Sequence, residues 1–156
     1  MISESEYLIM IQKKTATLIQ LACQVGAIVG EGKPEDIKSL TRFGHLIGMG
    51  FQIQDDLLDL FADEKLLGKR VGSDVLMNKK TIMSIRLSEK MGKSVDDIRS
   101  VEKFRHLIEQ YGLVKEVQIV SDNYFNEARD MLRKITPCEY TTYLYDLTEY
   151  IQNREK

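Results

Sequence analysis

Apolar residues recur three and four positions apart through nearly the whole chain, and no segment alternates at period two. The chain therefore reads as all-helical, without a sheet. Ser3 and Glu6 form a capping-box signature for a first helix reaching about Gly30, and Glu31 to Pro34 is a turn. A second helix is expected from about Glu35 to about Asp63, with a break allowed within it. The stretch from Glu64 to Asn78, with Lys65, Lys69, Arg70 and two glycines, is too charged for core and reads as a loop. A shorter helix is expected over about Lys80 to Lys90, ended by Gly92 and Lys93. Ser94 with Asp97 then opens another helix, which Gly112 terminates, and Leu113 to Lys134 follows. Thr136, Pro137 and Glu139 combine a cap, a first-turn proline and an acidic third position to start the last helix. A single all-helical domain over residues 1–156 is expected.

Composition narrows the class. The chain has 156 residues, is 43% hydrophobic and carries a net charge of -2, as an ordinary globular domain does. A chain of this length buries about 68–70% of its unfolded surface, enough for its own core. No apolar run approaches the roughly 18 residues of a membrane span. The N-terminus, with Glu4 and Glu6 and no basic flank, does not read as a signal peptide, so a cytoplasmic protein is expected. The near-neutral balance gives no reason to expect nucleic acid as a partner. Cys23 and Cys138 lie outside any CxxC spacing and read as buried thiols rather than a disulfide or zinc site. His45 and His106 lack a partner at ligand spacing and read as structural or surface histidines.

The candidate chemistry lies in the run Gly50-Phe-Gln-Ile-Gln-Asp-Asp-Leu-Leu-Asp59. On a helix Asp55 and Asp59 are one turn apart and share a face, with Asp56 beside them, so carboxylates converge where a hard cation could be held. An acidic patch on an amphipathic helix is usually only its wet face. Like charges one turn apart cost just about 0.2–0.5 kcal/mol, so nothing forces a metal to compensate them. The composition of the stripe argues for more. At about 100° per residue Gly44, Gly48, Gln52, Asp55 and Asp59 fall in line, where a solvated face would carry Lys, Glu or Arg. Each interior glycine weakens the helix by roughly 1 kcal/mol, which points to something approaching the backbone closely.

Two motifs carry a family resemblance. Gly44, Gly48, Gly50-Phe51-Gln52, Asp55-Asp56 and Leu58-Asp59, followed by Gly68-Lys69, Gly72-Ser73-Asp74, Asn78-Lys79 and Thr81, resemble the second aspartate-rich motif and following loop of the trans-isoprenyl diphosphate synthases. Upstream, Tyr7-Leu8, Lys14-Thr15-Ala16, Leu18 and Gly26-Ala27 resemble the lysine-threonine helix that precedes this motif. The resemblance covers essentially the whole chain, although after about Met91 it rests on helical pattern. It implies an antiparallel helix bundle corresponding to about half of the isoprenoid synthase fold. The family's first aspartate-rich motif, with its arginine and basic segment, has no counterpart here, so the chain is expected to begin mid-fold. Asp96-Asp97, the other adjacent acidic pair, is explained by its place at a helix start.

The resemblance also implies roles. Asp55 and Asp59 would be the principal ligands of a Mg2+, with Asp56 and Asp74 supporting them. Lys14, Lys69 and Lys79 would contact diphosphate oxygens, and Thr15 and Gln52 would orient the surrounding shell. Lys13, Lys65, Arg70 and Lys80 read as solvated charge. Phe51, Leu18 and Ile47 would line part of a hydrophobic tunnel, or else belong to the core. A leaving diphosphate gains negative charge as an allylic carbon–oxygen bond breaks, so cations must already be in place. The reading implied is a subunit or partial polyprenyl synthase, acting on allylic or isopentenyl diphosphate in head-to-tail prenyl transfer and inactive alone. It would work with a partner chain resembling the N-terminal half, or as a homo-oligomer. The competing reading, of a different class, is a non-catalytic homo-oligomeric remnant or regulatory binding module.

Overall fold

A computed structural model of the chain describes residues 2–61 and 71–154. Among the described residues the structure is helical throughout, with no strand. The helices are α1 Glu4–Ile11, α2 Thr17–Val29, α3 Pro34–Phe61, α4 Ser73–Leu76, α5 Ile82–Met91, α6 Val101–Gln110, α7 Leu113–Leu132 and α8 Thr141–Gln152. A π-helical turn, Gln12–Ala16, joins α1 to α2. Contacts divide the chain into two compact units, one built from residues 9–52 and 121–154, the other from residues 2–8 and 53–120.

In the unit of residues 9–52 and 121–154, the second helix begins one residue earlier than the pattern indicates. Pro34 takes the first helical position, where its missing N–H is no loss. No break follows, and α3 runs unbroken for 28 residues. The glycines in its stripe do meet a close neighbour, and that neighbour is another helix. A Cβ on Gly48 would lie 2.4 Å from the Cα of Ala16, and one on Gly44 would lie 2.8 Å from the Cα of Gln20. Backbone therefore packs on backbone along this line. On another side of α3, Phe43, Leu46 and Ile47 are buried with Phe125, Ala128, Leu132 and Ile135. Each of the Phe, Leu and Ile side chains among them contributes about 1.5–3 kcal/mol of burial, and the single methyl of Ala128 less. Ile47 thus belongs to the core, whereas Leu18 stands 71% exposed.

The last helix begins later than Thr136. The Thr136 backbone N–H and hydroxyl donate to Asp36 at 2.8 and 2.9 Å, so this residue ties down the loop rather than capping a helix. α8 starts at Thr141, whose hydroxyl accepts from the Cys138 backbone N–H at 3.3 Å. Cys138 is exposed rather than buried, Cys23 is half-buried, and both are free thiols.

In the unit of residues 2–8 and 53–120, Ser3 and Glu6 form the expected box: the Ser3 N–H donates to Glu6 at 2.8 Å and the Glu6 N–H donates to the Ser3 hydroxyl at 3.3 Å. The expected loop over 64–78 contains α4, entered through Gly72. At φ 77 this residue needs the left-handed region, and a Cβ there would also strike Val101 at 2.4 Å. α5 is opened by a capping box of Thr81 and Ser84, and Gly92 in the left-handed region ends it. Ser94 does not start a helix. Its hydroxyl accepts from the Asp96 N–H at 3.1 Å in a local turn, while Asp96 pairs with Lys80 and Val95 is buried. These contacts hold the segment out of helix until Ser100, which caps α6 by accepting from the Lys103 N–H. Lys80 is accordingly an ion-pair partner, not a solvated charge.

Candidate functional site

The aspartate end of α3 is organised by the segment that follows it. The Asp59 carboxylate accepts the Ser73 hydroxyl on one oxygen at 2.7 Å and the Asp74 backbone N–H on the other at 3.0 Å. Its own carbonyl accepts the Gly72 N–H at 2.6 Å. One side chain thereby fastens the start of α4 to the end of α3. The chain returns far enough to set Asp74 beside Asp59. Asp74 in turn accepts a charge-assisted hydrogen bond from Lys79. The short turn between them closes through the Lys79 N–H on the Asp74 carbonyl at 2.8 Å and places Asn78 at φ 53. The bond to Asp74 raises the Lys79 pKa, partly offset by burial and helped by the charges of Asp74, Asp59 and Asp56. Lys79 stays half-exposed, a cation held by carboxylates yet open to solvent.

Asp56 has a different environment. It is buried, and Tyr7, itself almost fully buried, donates its hydroxyl to the carboxylate at 2.7 Å. Burial pushes the Tyr7 phenol far above its ordinary range, and the neighbouring Asp56 charge pushes it further. Tyr7 therefore remains a donor at any physiological pH. Asp55 is half-buried, one turn before Asp59 on the same helix.

The lysine and threonine of the upstream motif lie in the other unit, on the π-helical turn. There the Thr17 N–H reaches the carbonyl of Gln12, five residues back rather than four. Such turns widen a helix by one residue and occur often at functional sites. Here the turn carries Lys14 exposed and Thr15 half-buried. The Thr15 hydroxyl donates to the Gln52 side-chain oxygen at 2.8 Å, and Gln52 is buried. Of the residues expected at the site, Asp59, Asp74 and Lys79 are thus joined in one network, Thr15 and Gln52 in another, and Lys69 lies outside the described residues.

Three features escaped the sequence pattern: the Tyr7 partnership with Asp56, the role of Ser73, and the π-helical turn. Only the first left a signal, since a buried tyrosine hydroxyl needs a partner. No group of three or more His, Cys, Asp or Glu forms a ready metal cage among the described residues. Mg2+ does not require one, because it commonly rests on one or two carboxylates together with waters and phosphate oxygens. Asp55, Asp59 and Asp74 are hard oxygen donors that fit this mode, and each Asp59 oxygen accepts one hydrogen bond with lone-pair capacity left. No described helix is long and apolar enough to cross a membrane.

Comparison with known proteins is consistent throughout. The polyprenyl synthetase family model matches residues 1–116. The chain is 34% identical over 160 residues to the geranylgeranyl diphosphate synthase of Methanosarcina mazei, covering 99% of this chain and 49% of that protein. It is 35% identical over 158 residues to heptaprenyl diphosphate synthase component 2 of Geobacillus stearothermophilus, covering 96% of this chain and 49% of that one. Among solved structures, the heptaprenyl diphosphate synthase of Staphylococcus aureus superposes with a TM-score of 0.89 at 31% identity, over 99% of this chain and 52% of that chain. The chain spans about half the length of the relatives it matches.

Proposed function

The chain belongs to the polyprenyl synthetase family, and on that premise we propose that it contributes the second magnesium–diphosphate site of a prenyl-transferring assembly. The reaction would be head-to-tail: an allylic diphosphate ionises, the double bond of isopentenyl diphosphate attacks the carbon freed, and a proton is lost. The observation that carries this reading is the network at the end of α3, where Asp59 draws in Asp74 and Asp74 holds Lys79.

Asp55 and Asp59 would hold the Mg2+, with Asp74 and Asp56 supporting them. When bound, that ion supplies positive charge to the leaving diphosphate. Lys79, kept protonated by Asp74, would meet the diphosphate oxygens. By resemblance Lys69 and Lys14 would do likewise, while Gln52, oriented by Thr15, would steady the shell around the anion. Tyr7 would fix the Asp56 carboxylate and keep water from it. A single carboxylate cluster cannot clamp both sides of a diphosphate as paired metal sites do. Residues 1–156 by themselves are therefore expected to be inactive and to require a second metal site.

Calorimetry with inorganic diphosphate tests the site. Binding should be weak, stronger with Mg2+ than without, and reduced by Lys79→Ala. The internal satisfaction of Asp59, Asp56 and Asp74 also suits a non-catalytic module. That second reading is favoured if diphosphate binds equally well without metal, or not at all. Incubation with Mg2+, isopentenyl diphosphate and a labelled allylic diphosphate tests inactivity: any elongated product that disappears in Asp55→Ala would overturn it.

A further inference from the structure

Within the unit of residues 2–8 and 53–120, the carboxylates of the candidate site stand where a helix disfavours them. Asp55, Asp56 and Asp59 occupy the last two turns of α3, and Asp59 is two residues from its end at Phe61. The C-terminus of a helix carries partial negative charge, its last four carbonyls lack partners within the helix, and its terminal turn frays. Helices commonly offset this with a lysine or arginine in their own last turn. α3 has neither there. The cation comes instead from Arg105, forty-five residues beyond Leu60. Its Nε and Nη2 both donate to the Leu60 carbonyl, at 3.1 and 2.7 Å, and its guanidinium lies 5.8 Å from the centre of the Phe61 ring. The adjacent carbonyl, that of Asp59, accepts the Gly72 N–H. Arg105 is half-buried on α6, one turn after Val101, the residue that a Cβ on Gly72 would strike. Residues four apart share a helix face, so one side of α6 meets both the end of α3 and the entry to α4. Buried Phe104 and Ile108 fix that helix in place.

We propose that Arg105 is a positioning residue of the aspartate network: by holding the Leu60 carbonyl it stops the last turn of α3 from fraying, and so keeps the Asp59 carboxylate where Ser73 and Asp74 meet it. The effect on a bound anion rests on the magnesium–diphosphate reading proposed above, whereas the positioning does not. A ligating group has to be held within about 0.5 Å of its working place by residues that are themselves fixed. Ser73 and Asp74 do not meet that condition alone, because Asp59 is what draws them in. α6 does meet it. Its start is capped by Ser100 and its inner face is buried, so its order owes nothing to the aspartates. The guanidinium fork suits the task, since it gives two N–H groups to one oxygen and lays a flat cation against a ring, which the single ammonium of a lysine does not reproduce. Its bonds end on a backbone carbonyl, so Arg105 acts through Asp59 and not on the anion.

Amide hydrogen exchange followed by NMR on the whole chain provides the test, because the Gly72 and Asp74 N–H groups both donate to Asp59. Arg105→Met keeps an apolar stem beside Phe61 but no donor. It should speed exchange at Gly72 and Asp74 by about ten- to a hundredfold, the factor that a hydrogen bond to a charged group carries. The Ser84 and Phe104 amides, at the starts of α5 and α6, should exchange as in the parent. Arg105→Lys, with its charge kept and its fork lost, should fall between. In calorimetry, inorganic diphosphate with Mg2+ should bind Arg105→Met about tenfold or more weakly than the parent, as when the support of a metal ligand is removed. Unchanged exchange at Gly72 and Asp74, an equal rise at all four amides, or diphosphate binding by Arg105→Met as strong as the parent's would each overturn the proposal. A parent that binds no diphosphate would sink the magnesium–diphosphate reading instead, and the exchange rates alone would then decide the role of Arg105. If Arg105→Met loses its helix signal in circular dichroism, Arg105→Lys carries the comparison, and parental exchange at Gly72 and Asp74 in that variant would overturn the proposal.

Discussion

Replacing Gly48 by alanine sets two effects of opposite sign against each other, and the packing against Ala16 decides between them. On an isolated helix the change would stabilise by about 1 kcal/mol, since alanine is the best helix former and glycine among the poorest. In this chain the new methyl would sit 2.4 Å from the Ala16 Cα, 2.8 Å from its Cβ and 3.3 Å from its nitrogen. Two of the three obstructing atoms are backbone, so no rotamer change relieves the clash and the two helices must move apart. Overpacking of this kind costs about 1–3 kcal/mol. Because the obstruction is backbone, the upper end applies, and about 2 kcal/mol of destabilisation remains after the propensity gain. At roughly 2–4 °C per kcal/mol for a chain of this size, the melting temperature should fall by about 4–8 °C. Gly26→Ala supplies the internal reference. With nothing within 4 Å of its new methyl, it should stabilise by about 0.5–1 kcal/mol. Urea and thermal melts, at a protein concentration giving one sedimenting species, would measure both. A Gly48→Ala protein as stable as the parent would show that the π-helical turn and α3 are not packed backbone to backbone at Ala16.

Tyr7→Phe should destabilise by about 1–3 kcal/mol in urea, because a buried carboxylate loses a donor; an unchanged midpoint would mean that Asp56 does not need it. The raised Tyr7 pKa also sets an alkaline limit. Below the ordinary phenol value of about 10 it leaves stability untouched, and above that value the unfolded chain ionises first, so stability falls as pH rises. Tyrosinate absorbance compared between the parent and Tyr7→Phe should show that Tyr7 ionises only on unfolding, and its ionisation in the folded chain would refute this. At the acid end, the Thr136 backbone N–H and then its hydroxyl hold the Asp36 carboxyl below its ordinary value. That tether is present above about pH 4 and is lost as pH falls, so the Thr136 amide resonance should titrate with Asp36. A flat response across that range would count against the tether.

How much could be read in advance depended on whether the deciding contact was near in sequence. The capping box at Ser3 and Glu6 and the glycine end of α5 involve residues three or four apart and were legible. Ser94 and Thr136 carry equally good local cap signatures and are not caps. Lys80 holds Asp96 from sixteen residues away, and Asp36 takes both Thr136 donors from a hundred residues away. The stripe of glycines was legible as a place of close approach, although the visitor, Ala16, was not. At the candidate site, residue types and spacing singled out Asp55 and Asp59. The hydrogen bonds that bring Asp74 to Asp59 pass through Ser73 and a backbone amide, which no side-chain spacing on α3 encodes.

The π-helical turn at Gln12–Ala16 divides the first helix into stretches with unequal tolerance for a change in length. A turn closed five residues back holds about one residue more than an ordinary one, so a single deletion within it can be absorbed by reversion to α-helix, leaving the flanking stretches facing as before. The same deletion within α2 has no such reserve. Everything beyond it would swing by about 100° around the helix axis, carrying Leu21, Val25 and Ile28 off their common line. Homologous chains that differ in length along this helix should therefore differ at Gln12–Ala16, and a family member one residue shorter there should show an unbroken α-helix from its first turn to its last.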